Sequence, residues 1–136
     1  MQNEDVQLPD RILAAATNVT GGTIGVLWLI FCAITRRTMS KFLMFNIYQS
    51  AFLALFFYLA GILLIFIYNI LIMVPFINIV VNGIYLSLFT PVYFHLSIMS
   101  MLIFIIYVYL FVCAMFGVYG KLPYISKIIL YQLERF

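Results

Sequence analysis

The sequence predicts an all-α membrane protein: a polytopic helix bundle of about four transmembrane helices, followed by a short C-terminal interfacial helix. Three observations predict it. Of 136 residues, 67% are hydrophobic and 8% charged, whereas soluble domains average about 25% charged. Two runs, residues 12–35 and 42–120, contain no Asp, Glu, Lys or Arg at all, although a helix of a soluble protein keeps one wet face. Between those runs lies a polar island, Thr35-Arg36-Arg37-Thr38-Met39-Ser40-Lys41, with three of the seven basic residues. It is where the backbone surfaces between membrane segments, and Arg36, Arg37 and Lys41 are its candidate headgroup anchors.

The predicted organisation has three parts: a polar N-terminal tail over residues 1–11, a transmembrane helical region over 12–119, and an amphipathic interfacial segment over 120–136. The tail is acidic and lacks a basic stretch before the first apolar run. It therefore reads as neither a secretory signal nor a transit peptide, and Met1 favours a chain made in the compartment that houses it.

Pro9, Asp10 and Arg11 predict a helix start, since proline is tolerated in a first turn and an acid suits the positive end of the helix dipole. Residues 12–34 form the first predicted span. Its first half is polar for a membrane helix, with Thr17, Asn18, Thr20, Gly21, Gly22, Thr23 and Gly25. Thr17, Gly21 and Gly25 recur every four residues, a small-residue stripe expected to pack against another helix. The second predicted span runs from just after Lys41 to about residue 67. Asn46 and Gln49 lie three apart in its first turns, on one helical face.

Residues 68–95 are long enough to span but contain Asn69, Pro75, Asn78, Asn82, Gly83, Pro91 and His95. Pro75 breaks a backbone hydrogen bond and Pro91 ends the helix. Asn78 and Asn82 are one turn apart, with Tyr85 near their face. The segment reads as a kinked third span or a membrane-embedded hairpin. Residues 97–118 are the last span, with tyrosines placed for an aromatic belt. After Gly120, Pro123 is expected to open a short helix whose apolar face is Ile125, Ile128, Ile129, Leu133 and Phe136.

The basic residues pose a question of sidedness. The positive-inside rule places the island and the C-terminal Lys121, Lys127 and Arg135 on one face, which needs an even number of crossings between them. Segment lengths suggest three. Either the two clusters lie on opposite faces, or residues 68–95 do not cross fully.

No constellation for catalysis, metal or cofactor binding is expected. His95 has no carboxylate, cysteine or second histidine near it in sequence, the acids all lie in flanking segments, and Cys32 and Cys113 read as small apolar residues. The net charge of +3 suits lipid headgroups and excludes a nucleic-acid face.

Three patches together resemble the channel-forming 20-kilodalton subunit family of the translocon at the inner chloroplast envelope, with its cyanobacterial relatives. They are Asp10-Arg11-Ile12-Leu13-Ala14-Ala15; Arg37-Thr38-Met39-Ser40-Lys41-Phe42-Leu43-Met44-Phe45-Asn46 with Gln49 after it; and Pro123-Tyr124-Ile125-Ser126 followed by Tyr131-Gln132. A broad bacterial family of small membrane proteins shares the first two. Met44 stands where the family has a basic residue, and the chain has room for one span, not two, before the island. The resemblance implies a non-enzymatic membrane subunit of a protein-import complex, in a plastid inner envelope or a bacterial plasma membrane. Its implied partners are the lipid bilayer, other membrane subunits and translocating precursor polypeptides. A polypeptide path would be lined by the uncharged polar groups Asn18, Asn46, Gln49, Asn78 and Asn82. The competing reading is a structural or assembly subunit of another large membrane complex, docking through the Thr17, Gly21, Gly25 stripe.

Overall fold

The structure, a computed structural model, describes residues 6–93, 95–122 and 125–135, with side chains to residue 132. Expectations placed on the acidic residues before Val6, on Pro123, and on the side chains of Leu133, Glu134, Arg135 and Phe136 lie outside the described residues. The described chain is helical: α1 (Leu8–Val19), α2 (Thr23–Thr35), α3 (Lys41–Leu71), α4 (Ile77–Phe89), α5 (Ile98–Met115) and α6 (Ile125–Arg135), with a minimal antiparallel ribbon of β1 (Pro91–Tyr93) and β2 (Leu96–Ser97) between α4 and α5. It divides into two compact units. The first comprises Met1–Leu55 and Tyr107–Phe136, and the second Phe56–Ile106.

In the first unit, the segment expected to be one continuous span is a helical hairpin. α1 ends in a reverse-turn cap in which Gly22 N–H donates to the Thr17 carbonyl at 2.8 Å and Gly21 N–H to that of Asn18 at 3.4 Å. Gly21 (φ +61°) and Gly22 (φ +91°) both take positive φ, which glycine adopts without the Cβ penalty of other residues. Two adjacent glycines thus close one helix and open the next. The turn is pressed onto α3: a Cβ at Gly22 would sit 2.9 Å from the Ala51 backbone nitrogen. Val6, Gln7 and Asp10 at the start of α1 line a common cavity with Thr38, Ser40 and Phe42 around the start of α3, and Cys32 and Arg37 from the end of α2 line it too. The hairpin therefore descends along α3 and returns to the level from which it began.

α3 has 31 residues, about 46 Å at 1.5 Å per residue. Its first turns are core: Phe42, Leu43, Phe45, Ile47 and Leu53 are buried, and Phe42, Leu43 and Ile47 pack with Ala14, Ala15 and Ala114, whose small side chains let the helices approach. Ser40 Oγ accepts the Leu43 N–H at 3.3 Å, an N-cap that fixes where α3 begins. Tyr119, just beyond α5, sets its ring edge-on to Phe42 and Phe45, with centroids 5.4 and 5.1 Å away. The start of α3 is therefore level with the end of α5, and the two run antiparallel within this unit.

In the second unit, α3 stops at Leu71 because the ring of Pro75 would clash with the carbonyl four residues earlier, that of Leu71 itself. The turn that follows carries Phe76 at φ +70°. α4 then folds back on the last turns of α3: the Tyr68 ring stacks on Tyr85 at 4.2 Å, Tyr85 on Phe89 at 4.7 Å, and Tyr68 OH donates to Asn82 Oδ1 at 2.9 Å. α4 ends at Phe89 because Thr90, before Pro91, is extended, as a residue preceding proline prefers. The ribbon turns at the exposed His95, with φ +61°. Ser97 Oγ accepts the Ser100 N–H at 3.2 Å and so caps α5.

Two helices, α3 and α5, are long and apolar enough to cross a membrane. α2 and α4, with 13 residues each, reach about 20 Å, short of a hydrocarbon core about 30 Å thick. In the most apolar stretch of both α3 and α5, 11% of residues are buried. A core helix of a water-soluble protein would be mostly covered.

Candidate functional site

Asn18 is fully buried, and so are Thr17, Asn46, Gln49 and Ser50. They come from α1 and α3, and their partners include carbonyls of α5 and of the segment beyond it. Asn18 Nδ2 donates to Asn46 Oδ1 at 3.3 Å and to the Leu110 carbonyl of α5 at 3.1 Å. Asn18 Oδ1 accepts the hydroxyl of Ser50. Asn46 Nδ2 donates to its own helix, to the Phe42 carbonyl at 2.9 Å. One amide thus joins α1 to α3 and α5.

A turn further along α3, Gln49 Nε2 donates to the Gly120 carbonyl at 2.8 Å and to Ser126 Oγ at 3.4 Å. Ser126 Oγ in turn accepts the Leu122 N–H at 2.7 Å. The second amide ties the chain beyond α5, and the first turn of α6, to α3. Among the described residues, Gln49 Oε1 is buried with no hydrogen-bond partner.

The expected polar set is therefore divided. Asn18, Asn46 and Gln49 are all buried in the first unit, in two sets of hydrogen bonds, one around Asn18 and one around Gln49. Asn78 and Asn82 belong to the second unit, where Asn78 is half-buried and Asn82 exposed. Asn46 and Gln49 are both turned inward, yet each serves a different neighbour. The Thr17, Gly21, Gly25 set does not run along one helix, because the glycine turn interrupts it. Thr17 and Gly25 face each other across the hairpin, and a Cβ at Gly25 would collide with Thr17 and lie 2.8 Å from Ile47 of α3. Gly21 sits in the turn, where a Cβ would lie 3.7 Å from the Tyr107 hydroxyl. Gly22, outside the stripe, makes the tightest backbone approach.

Arg36, Arg37 and Lys41 are exposed. Arg36 closes α2 in the left-handed region, φ +52°, with the Arg37 N–H donating back to the Cys32 carbonyl at 3.1 Å. Arg11 Nε donates to the Val6 carbonyl at 3.0 Å, and its guanidinium lies where a Cβ on Gly117 would be, 2.8 Å from Nε. Asp10, Lys121 and Lys127 complete the charged residues with described side chains. All seven belong to the first unit and gather around the opening turns of α3 and the end of α5.

α6 docks through Ser126 and Ile129, which are buried, while Lys127, Ile128 and Tyr131 are exposed. The expected apolar face is thus split, because the Ser126 hydroxyl is drawn to Gln49. Sequence reasoning placed Ser50 beside Asn46 and Gln49 in the first turns of the second expected span but did not count it among the candidate polar residues. It also passed over the Leu110 and Gly120 carbonyls, which carry no side-chain signal. Chemically these groups are uncharged amides, hydroxyls and backbone carbonyls, and their bonded partners lie within the first unit.

No family model, curated protein or solved structure matches the chain.

Proposed function

We propose that the chain is an integral membrane subunit of a protein-import translocon, in a plastid inner envelope or a related bacterial plasma membrane. It acts there by helix packing and assembly rather than by enclosing a path of its own. The observation that carries this reading is the inversion of polarity: α3 and α5 turn apolar side chains outward, while the amides of Asn18, Asn46 and Gln49 are withdrawn into the first unit. An amide left unpaired in hydrocarbon costs several kcal/mol, so this distribution is that of a protein dissolved in lipid. A polypeptide path lined by these three residues would require these hydrogen bonds to open. Any path lies instead between this chain and its partners.

Support for the translocon comes from the three patches that resemble that family. Separated in sequence, they belong to one unit: Gln49 of the second bonds Ser126 of the third, and Arg11 of the first packs on Gly117 at the end of α5.

In the topology we propose, α3 and α5 cross the bilayer, and the α1–α2 hairpin and α4 enter it without crossing. Two crossings between the island and the C-terminal lysines put every described charge on one face, as the positive-inside rule asks. A second reading, a structural subunit of another large membrane complex, is favoured by the burial of Asn18, Asn46 and Gln49 alone.

Affinity capture of the tagged chain in a mild detergent, with its companions identified, tests the choice. Recovery of translocon subunits and precursor supports the first reading. Recovery of a different stable complex replaces it with the second. A chain that stays folded in water without detergent or lipid rejects both.

A further inference from the structure

At the charged end of the first unit, a cavity of about 400 Å³ opens between the α1–α2 hairpin, the polar island and the start of α3. Its size falls within the roughly 300–1,000 Å³ of small-ligand sites. Its lining is chemically mixed. Arg37, Thr38 and Ser40 come from the island, Asp10 from the first turn of α1 and Trp28 from α2, with Phe42 and Leu43 of α3 as apolar wall. Asp10 and Arg37 share the cavity, but among the described residues they form no ion pair with each other. Ser40 Oγ uses its oxygen to accept the Leu43 N–H, which leaves its hydroxyl proton to donate.

We propose that this cavity binds the headgroup of an amine-bearing phospholipid, of the phosphoethanolamine type. A guanidinium with two hydroxyls is a phosphate-binding set. A carboxylate across the same cavity suits a primary ammonium, and an indole favours a cation near its face and the boundary between acyl chain and headgroup. A purely anionic headgroup would meet Asp10 unpaired, and a trimethylated amine cannot donate hydrogen bonds to the carboxylate. The glycerol and the first acyl carbons run along Phe42 and Leu43 toward the exposed apolar face of α2. The proposal rests on the membrane reading above and adds a lipid preference to it.

The test is native mass spectrometry of the whole chain released from nanodiscs containing equal amounts of phosphatidylethanolamine, phosphatidylcholine and phosphatidylglycerol. Phosphatidylethanolamine is expected to be retained several-fold over the other two. Arg37→Gln should lower its retention, and Asp10→Asn should erase the preference over phosphatidylglycerol. Thr38→Ala, at an exposed position, should weaken retention without touching the fold. Lys41→Gln, which removes a neighbouring charge that does not line the cavity, should leave the preference intact. Equal retention of the three lipids, or the same preference in all variants, overturns the proposal. So does displacement of the lipid by millimolar soluble phosphoethanolamine, which would assign the cavity to a free phosphate ester. A chain that carries no lipid at all fails the membrane reading itself, a result distinct from unselective retention.

Discussion

Gln49 and Gly120 are 71 residues apart in sequence and joined by a 2.8 Å hydrogen bond from the Gln49 side-chain amide to the Gly120 carbonyl. That bond, with the one to Ser126, ties the chain beyond α5 to α3 alongside the packing of Tyr119 on Phe42 and Phe45. Gln49→Leu keeps the volume and removes the donor. The segment around Lys121 should then detach part of the time, and limited trypsin digestion at Lys121 and Lys127 should accelerate several-fold in detergent micelles. An unchanged cleavage rate would show that apolar packing of Ile129 suffices.

Asn18 bonds three partners on two other helices, so its removal strands Asn46 Oδ1 and the Ser50 hydroxyl. Asn18→Ala is expected to lower stability by about 1–3 kcal/mol, read from unfolding in mixed micelles. Asn82→Ala, on the exposed face of α4, should stay within about 0.5 kcal/mol. Similar effects at both positions would contradict the buried network.

The two glycines with the most different surroundings give a matched pair. Gly22→Ala places a methyl group 2.9 Å from the Ala51 nitrogen at φ +91° and should destabilise on the order of 2 kcal/mol or more. Gly83→Ala meets nothing within 4 Å in a helix interior and should stabilise by about 0.5–1 kcal/mol. The same unfolding measurement reads both.

Arg36 holds a conformation that costs a residue with a Cβ about 1–2 kcal/mol. Arg36→Gly should therefore raise stability by about 1 kcal/mol despite losing a charge, whereas Arg37→Gly should not. A loss at position 36 would mean that its guanidinium contributes more than its backbone costs.

Sidedness is checked by thiol labelling in sealed vesicles. With Cys32 and Cys113 replaced by alanine, Lys41→Cys and Lys127→Cys should both react with an impermeant reagent from the same side. Labelling from opposite sides would require an odd number of crossings between them.

The helical class and the starts of α3 and α5 were legible in the sequence, and three of its five expected amides, Asn18, Asn46 and Gln49, are buried. The charge-free runs report composition directly, and prolines act over a few residues that a local pattern can report. Pro91 marks the end of α4 for that reason, whereas Pro75, expected to kink the segment over residues 68–95, instead follows the end of α3 at Leu71. The first segment was misread as one span because Thr17, Gly21 and Gly25 fit helical spacing as well as they fit a hairpin. What decides between the two is the contact of Gly22 with Ala51, a relation between distant parts of the chain. Nor could spacing alone divide Asn18, Asn46 and Gln49 from Asn78 and Asn82. Amide side chains look alike until the carbonyls of Leu110 and Gly120 are placed.

The first compact unit is built from the two ends of the chain, Met1–Leu55 and Tyr107–Phe136. During synthesis, Asn18 leaves the ribosome 92 residues ahead of Leu110, whose carbonyl it will bond. The Asn18 bond can therefore form only after about four-fifths of the polypeptide has been made. Completion of the first unit comes late in synthesis, and truncation before Leu110 should harm the beginning of the chain as much as the end.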